Sequence, residues 1–295
     1  MNESPTVFGI DFSPAMRRAI PWVREYIAPA QPAVLVHAID APPLPGFLRK
    51  LVPPAMAADQ VCPQVLARLQ ILANRAGVPD AERITRAGRA DAVLLDVAME
   101  RGASMVVIGT HGTPAPSWKR VGTTAERILR AAEQTVLVVT GPMAGAPKRI
   151  LVAVDDAAIT PCVLSFAGVL ADAHGAELHA VHVLSPAAYN HLLSAEAVAG
   201  GTESEIRARI ERDLAEETLR WLRGLWANTT HHARLNADVL HGNPADEILR
   251  LARELSADLI VMGRYGIGRI VPAILGSVVG SVIAGAESPV LVVAT

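Results

Sequence analysis

Cysteine is scarce in this chain of 295 residues: Cys62 and Cys162 are its only two. They are too few for a disulfide framework and lie outside any C-x-x-C spacing, so neither a stapled secreted fold nor a structural zinc site is indicated. Charge of one sign is lacking as well. The formal net charge is -2, which gives the chain no electrostatic claim on nucleic acid or on an anionic membrane surface. Aromatics are 4% of residues against 51% hydrophobic, so the core must be built from aliphatic side chains. The N-terminal stretch MNESPTVFGIDFS has an acid and a proline where an export signal needs basic residues followed by an apolar core, and a cytoplasmic protein is expected. A long apolar run is missing too. Ile270 to Ala286 is free of charge, but it is shorter than the roughly 20 residues that span a bilayer and contains Pro272 and three glycines.

What the chain does have is a repeat. VFGIDFS near the start resembles ILVAVDD, VLVHAID resembles LHAVHVL, ASMVVIGTHG resembles ADLIVMGRYG, and TVLVV resembles PVLVV. Gly88, Gly109 and Gly122 recur 154 positions later as Gly242, Gly263 and Gly276. The first two segments recur at offsets of 144 and 145 and the later ones at 154, so a single large length change separates two otherwise parallel copies, the mark of an internal duplication. TGPMAGAPKR, from Thr140 to Arg149, breaks both helix and strand periodicity and reads as the linker, dividing the chain into domains 1–145 and 146–295. Within each copy, short Val/Ile/Leu runs alternate with longer amphipathic stretches, the pattern of a parallel sheet covered on both faces. In copy two the strands fall at Ile150 to Val154, Glu177 to Leu184, up to Leu240, Leu259 to Met262 and Val290 to Val293. The helices fall at Thr160 onward, Glu203 to Arg223 and Ala245 to Leu255, with Thr160 as a cap and Gly175 as a stop. The fold class is α/β: two tandem doubly wound domains, each with a five-stranded parallel sheet.

In such sheets ligands settle at the carboxyl ends of strands, where strand order reverses. Asp11 and Asp155 end the first strand of each copy, and Gly109 and Gly263 end the fourth. Copy one continues as Gly109-x2-Gly112-x9-Gly122-Thr123 and copy two as Gly263-x2-Gly266-x9-Gly276-Ser277. Glycines at a strand exit permit positive φ and let a ligand approach the main chain. A Gly-[Ser/Thr] step before a helix adds N–H groups and a hydroxyl at the positive end of the helix dipole, which together suit a phosphate.

Both halves resemble the universal stress protein family, whose ATP-binding members carry G-x2-G-x9-G-[S/T], and the resemblance covers nearly the whole chain. It implies the adenine nucleotide alpha hydrolase-like fold and a regulatory protein that binds ATP, ADP or AMP, with Mg as a companion of the nucleotide. The implied contacts are Asp155, Val183, Met262, Gly263, Gly266, Gly276, Ser277 and Val278 in copy two. In copy one they are Asp11, Ala38, Ile108, Gly109, Gly112, Gly122, Thr123 and Thr124. Copy one keeps the family's D-x-S as Asp11-Phe12-Ser13, whereas copy two has Asp155-Asp156-Ala157. There Asp156 either invites a cation, repels a triphosphate or is merely solvated. Copy one carries Pro114 and Pro116 within its spacer and Thr124 in place of the usual valine.

The P-loop G-x4-G-K-[S/T] is absent, and no base stands beside Lys119, Arg120 or Arg269, so at most slow hydrolysis is expected. The S-G-G-x-D-S type loop of the related adenylating enzymes is absent too. A scaffold with empty pockets is the remaining alternative. No catalytic residue and no metal ligand set is expected. The histidines are read as structural or solvated, His231 and His232 included. His111 is the exception, since it lies between two motif glycines where a phosphate would sit; Arg264 holds the matching place in copy two. Trp221 and Trp226 are expected to pack onto the sheet. Val136 to Val139 and Val290 to Val293 are expected to join the two domains as single-domain relatives join in a dimer, and two such chains to associate further. Where copy one has Glu126, Arg127 and Arg130, copy two has Gly280, Ser281 and Ala284, so the helix from Ser277 to Ala286 is expected to pack on the other domain or on a second subunit.

Overall fold

A computed structural model of the chain describes residues 4–39, 58–110, 122–185, 202–264 and 276–294. The first half runs β1 (Thr6–Gly9), α1 (Pro14–Trp22), β2 (Ala33–Ile39), α2 (Ala58–Arg75), β3 (Glu82–Ala87), α3 (Ala90–Glu100), β4 (Met105–Gly109), α4 (Thr123–Ala131) and β5 (Thr135–Val139). The second half repeats the order: β6 (Arg149–Ala153), α5 (Thr160–His174), β7 (Glu177–Leu184), α6 (Glu203–Ala227), β8 (Leu235–His241), α7 (Pro244–Glu254), β9 (Leu259–Gly263), α8 (Ser277–Gly285) and β10 (Val290–Val293).

All ten strands form one sheet in the order β3-β2-β1-β4-β5-β10-β9-β6-β7-β8. Pairing is parallel within each half, as in Phe8 with Leu35 and Val152 with Val261. At the middle it turns antiparallel, with Val136, Leu137 and Val138 opposite Val292, Leu291 and Val290. The two strands expected to join the halves therefore do so. Each half reverses strand order between its first and fourth strands, β1/β4 and β6/β9, which creates a crevice at their carboxyl ends.

The Val/Ile/Leu runs are continuous because both faces of the sheet are covered. Phe8, Leu137, Ile150 and Leu291 face one core together with α1, α2, α5 and α6. Val7, Val138, Leu151 and Val290 face the other, beneath α3, α4, α7 and α8. Both cores cross the seam without a break, and each fully buried Leu or Ile side chain contributes about 1.5–3 kcal/mol. Trp221 and Trp226 pack against the first core, as expected.

Local signals are used where they were read, with small shifts. Ser13 caps α1 by accepting from the Met16 N–H, and Pro14 occupies the first turn. Gly175 ends α5 at φ 61°. Gly88 and Gly242 both sit at φ 143°, a backbone that excludes L side chains and turns the chain into α3 and α7. Thr160 is the first residue of α5 rather than its cap, and its hydroxyl donates to the Asp155 carbonyl, pinning the loop between. The expected packing of α8 on the other half is not found. The helix lies on α7 of its own half, with Gly280 and Ala284 half-buried and Ser281 exposed, because the halves meet through β5 and β10. Among the described residues no helix is long and apolar enough to cross a membrane.

Candidate functional site

Each crevice holds a cavity, of about 470 Å³ in the first half and about 370 Å³ in the second. In the second, β6 delivers Asp155, β7 delivers Val183, β9 delivers Met262 and Gly263, and the start of α8 delivers Gly276, Ser277 and Val278. In the first, the corresponding elements deliver Asp11, Ala38, Ile108, Gly109, Gly122, Thr123 and Thr124. Seven residues from four elements thus meet in each half. Gly112 and Gly266 lie outside the described residues, as do His111, Pro114, Pro116, Lys119, Arg120 and Arg269.

The anion-facing parts are α4 and α8. They start at Gly122 and Gly276, and neither start has a side-chain cap. Thr123 and Ser277 follow with exposed side chains. First-turn N–H groups have no partner inside a helix, and here no side chain supplies one. The positive φ that strand-exit glycines would permit is not used: Gly109, Gly122, Gly263 and Gly276 are all outside the positive-φ region. At Gly276 a Cβ would stand 3.4 Å from the Arg264 carbonyl oxygen, an ordinary contact. Neither backbone nor packing demands glycine at that position, so what a side chain would obstruct is the approach from the cavity.

The two aspartates are held differently. Asp11 Oδ1 accepts the Ser13 N–H at 2.8 Å, Phe12 takes φ 59°, and Arg17 donates to the Phe12 carbonyl at 2.8 and 3.1 Å. This loop is therefore tied at each residue of the Asp-Phe-Ser stretch. Copy two lacks the serine; Asp155 is half-buried on the cavity wall while Asp156 is exposed, which favours the solvated reading of the second carboxylate.

Two histidines read from sequence as structural or solvated line the cavities at equivalent positions. His37 Nδ1 lies 2.6 Å from the Ile10 carbonyl and His182 Nδ1 lies 2.9 Å from the Val154 carbonyl. A carbonyl only accepts, so Nδ1 is the donor in both rings, which leaves Nε2 as the acceptor in the neutral imidazole. The signal was the alignment of VLVHAID with LHAVHVL, which places both at matching positions of their second strands. His179 is turned away, toward Glu177 and Asn236. Among the described residues no group of three His, Cys, Asp or Glu is placed to hold a metal ion.

Arg264, which was read as the counterpart of His111 although the offset of 154 pairs it with Thr110, does not line the cavity. Its guanidinium donates to the carbonyls of Ala132 and, at 2.8 Å, Gln134, both in the first half just past α4. Next in sequence to Ala90, which lines the first cavity, Asp91 in the first turn of α3 meets Arg89 and, at 3.7 Å, Arg127 of α4. Burial pushes the Asp91 carboxyl up, but the hydrogen bond and charge of Arg89, with the charge of Arg127, outweigh it and hold the group below its ordinary value.

A pair of doubly wound α/β domains, each with a glycine-edged cavity at its switch point, is what fold and site together define. The universal stress protein family model matches residues 5–140 and again 147–294, and the chain belongs to that family. A universal stress protein of Thermus aquaticus is 36% identical over 146 residues, 50% of this chain and 98% of that protein. One of Mycobacterium tuberculosis is 25% identical over 297 residues, 97% of this chain and 95% of the relative. The crystal structure of a universal stress protein from Archaeoglobus fulgidus superposes with a TM-score of 0.67 at 17% identity, covering 100% of this chain and 99% of that one, which shows the shared fold.

Proposed function

We propose that this chain is a cytoplasmic regulatory protein of the stress response that binds an adenine nucleotide in its cavities and does not turn it over efficiently. The observation that carries the reading is the start of α8: a glycine required by neither φ nor packing, uncapped N–H groups and an exposed hydroxyl, all bordering a cavity. The start of α4 repeats the uncapped glycine and hydroxyl. A helix N-terminus of this kind stabilises the negative charge of a phosphate. The apolar walls, Ile159, Val163 and Ile248 in the second half, suit a flat base. Any Mg would arrive with the nucleotide. The same reading has the linked halves imitating a dimer, with association of two chains as a further step.

Thermal unfolding with and without Mg-ATP tests it, on the wild type, Gly122→Asp and Gly276→Asp. Ligand at about 100 times its dissociation constant stabilises the fold by about 2.7 kcal/mol for each cavity it fills. Each aspartate removes the contribution of its own cavity, because a carboxylate at the cradle repels phosphate. No shift of the wild type with ATP, ADP or AMP would leave the protein-interaction scaffold as the better reading.

A further inference from the structure

Two polar side chains, Ser165 and Asp172, stand exposed on α5 past the residues of that helix that line the second cavity. Ser165, Gly168 and Asp172 form one stripe along that helix, and the loop after α6 brings His231 over it. His231 Nδ1 is 3.0 Å from Asp172 Oδ2, and its Nε2 is 3.3 Å from Ser165 Oγ. The ring is clamped. Trp226 stacks on it with centroids 5.6 Å apart and planes 25° apart. On its other side a Cβ at Gly168 would lie 2.5 Å from a ring carbon, so only glycine lets the imidazole come this close. Asp172 is fixed in turn, its Oδ1 accepting the N–H groups of His232 at 2.9 Å and Ala233 at 2.6 Å.

The protonation pattern follows from the partners. A carboxylate only accepts, so the neutral imidazole carries its proton on Nδ1 and turns the Nε2 lone pair toward the Ser165 hydroxyl. That is the order of contacts that activates a serine: orienting carboxylate, base, nucleophile. Anchoring the loop accounts for Asp172 and for the stacked ring. It does not account for an exposed serine at Nε2, the one open end of the cluster. The site has a definite limit. Ser165 lies inside α5, where main-chain N–H groups are spent in the helix ladder, so no oxyanion hole adjoins it. Donors that depend on such a hole are excluded, and those with a good leaving group remain.

We propose that Ser165 is an acylation site for small activated acyl donors, acyl phosphates or aryl esters, with His231 as the base and Asp172 as a positioning residue. Ser165 Oγ forms a bond to the donor's carbonyl carbon while its proton passes to His231 Nε2. The bond from that carbon to the leaving oxygen breaks, and phosphate or phenolate departs with the electron pair. His231 then releases the proton to water, leaving an acyl-serine formed once per chain. The proposal is independent of nucleotide binding.

The test exposes the full-length protein to acetyl phosphate and, separately, to p-nitrophenyl acetate, and follows site-resolved acetylation by peptide mass spectrometry. Exposed Ser204 of α6 serves as the internal reference. Ser165 is expected to react about 100-fold faster than Ser204, the range of a positioned base. Asp172→Asn keeps an oxygen for the His232 and Ala233 N–H groups but presents an N–H to Nδ1. This moves the ring proton to Nε2 and should bring Ser165 down to the Ser204 rate in a variant that circular dichroism shows to be folded. Ser165→Ala removes the fast product. Equal rates at Ser165 and Ser204 in the wild type, a comparison that needs no variant, would overturn the proposal, as would a fast Ser165 in folded Asp172→Asn.

Discussion

Arg264 shows how one residue can leave the place its sequence neighbours suggest. It follows Gly263 directly, yet its guanidinium is spent on two carbonyls of the other half. Hydrogen bonds from a charged donor contribute about 1.5–3 kcal/mol each, so Arg264→Ala should lower the urea-unfolding free energy by about 3 kcal/mol. Arg264→Lys should recover less than half, since an ammonium lacks the planar fork that meets both oxygens. Asp91 yields a prediction about pH. Its folded value lies below the ordinary 3.8, so its stabilising contribution is complete above about 3.8 and disappears as pH falls through the lower folded value. The stability gap between wild type and Asp91→Asn, measured by chemical denaturation, should therefore be constant near neutrality and close in strong acid. Neither contact was legible in the sequence. Ala132 and Gln134 are remote from Arg264, and nothing in the pattern of Gly263 and Gly266 says where an intervening side chain points. The same holds for Ser165 and His231, brought together only when the loop after α6 folds onto α5. His37 and His182 were read as structural or solvated, although the duplication had already aligned them and so carried the signal.

At the scale of elements, the sequence was most informative where local chemistry decides. Glu177–Leu184 and Val290–Val293 form strands over the residues read for them, since buried aliphatic runs bounded by turn residues leave little choice. The long helix α6 begins with a capping box: the Thr202 hydroxyl accepts the Glu205 N–H at 3.3 Å, and the Glu205 carboxylate accepts the Thr202 N–H at 2.9 Å. Thr202→Ala should cost about 1 kcal/mol, visible as faster hydrogen exchange in the first turn of α6 and a lower denaturation midpoint. For α8 the half of the expectation that placed it on the other domain is not met, because composition reports how apolar a helix face is and not which neighbour covers it. Gly280 and Ala284 make that face smooth, but the strands β5 and β10 already hold the halves together, and α8 rests on α7 instead.

The described residues form a single ten-stranded sheet with two equivalent crevices and two cores that ignore the domain boundary. Cutting the chain is therefore more disruptive than its duplicated sequence suggests. A fragment of residues 146–295 would bare the Val290–Val293 edge, and unpaired edges of aliphatic strands seek partners. It should run as a dimer or larger species in analytical ultracentrifugation, with the antiparallel pairing re-formed between two copies of β10. A lysine in place of Leu291 in that fragment should restore the monomer, or unfold it where the core cannot take the charge. The offset of the duplication made the two-domain plan readable, and the matching valines named the joining strands. The continuity of both cores was not readable, because it depends on which side chains alternate to which face once the seam is formed.

That central seam also sets a schedule for biosynthesis. β5 is complete when roughly half the polypeptide has left the ribosome, whereas its partner β10 follows only after the entire second sheet has been translated. At a typical elongation rate of about 5–20 residues per second, the nascent first half waits for some seconds with the aliphatic flank Val136–Val139 uncovered. During that interval its backbone groups along β5 are open to mispairing with any other extended segment.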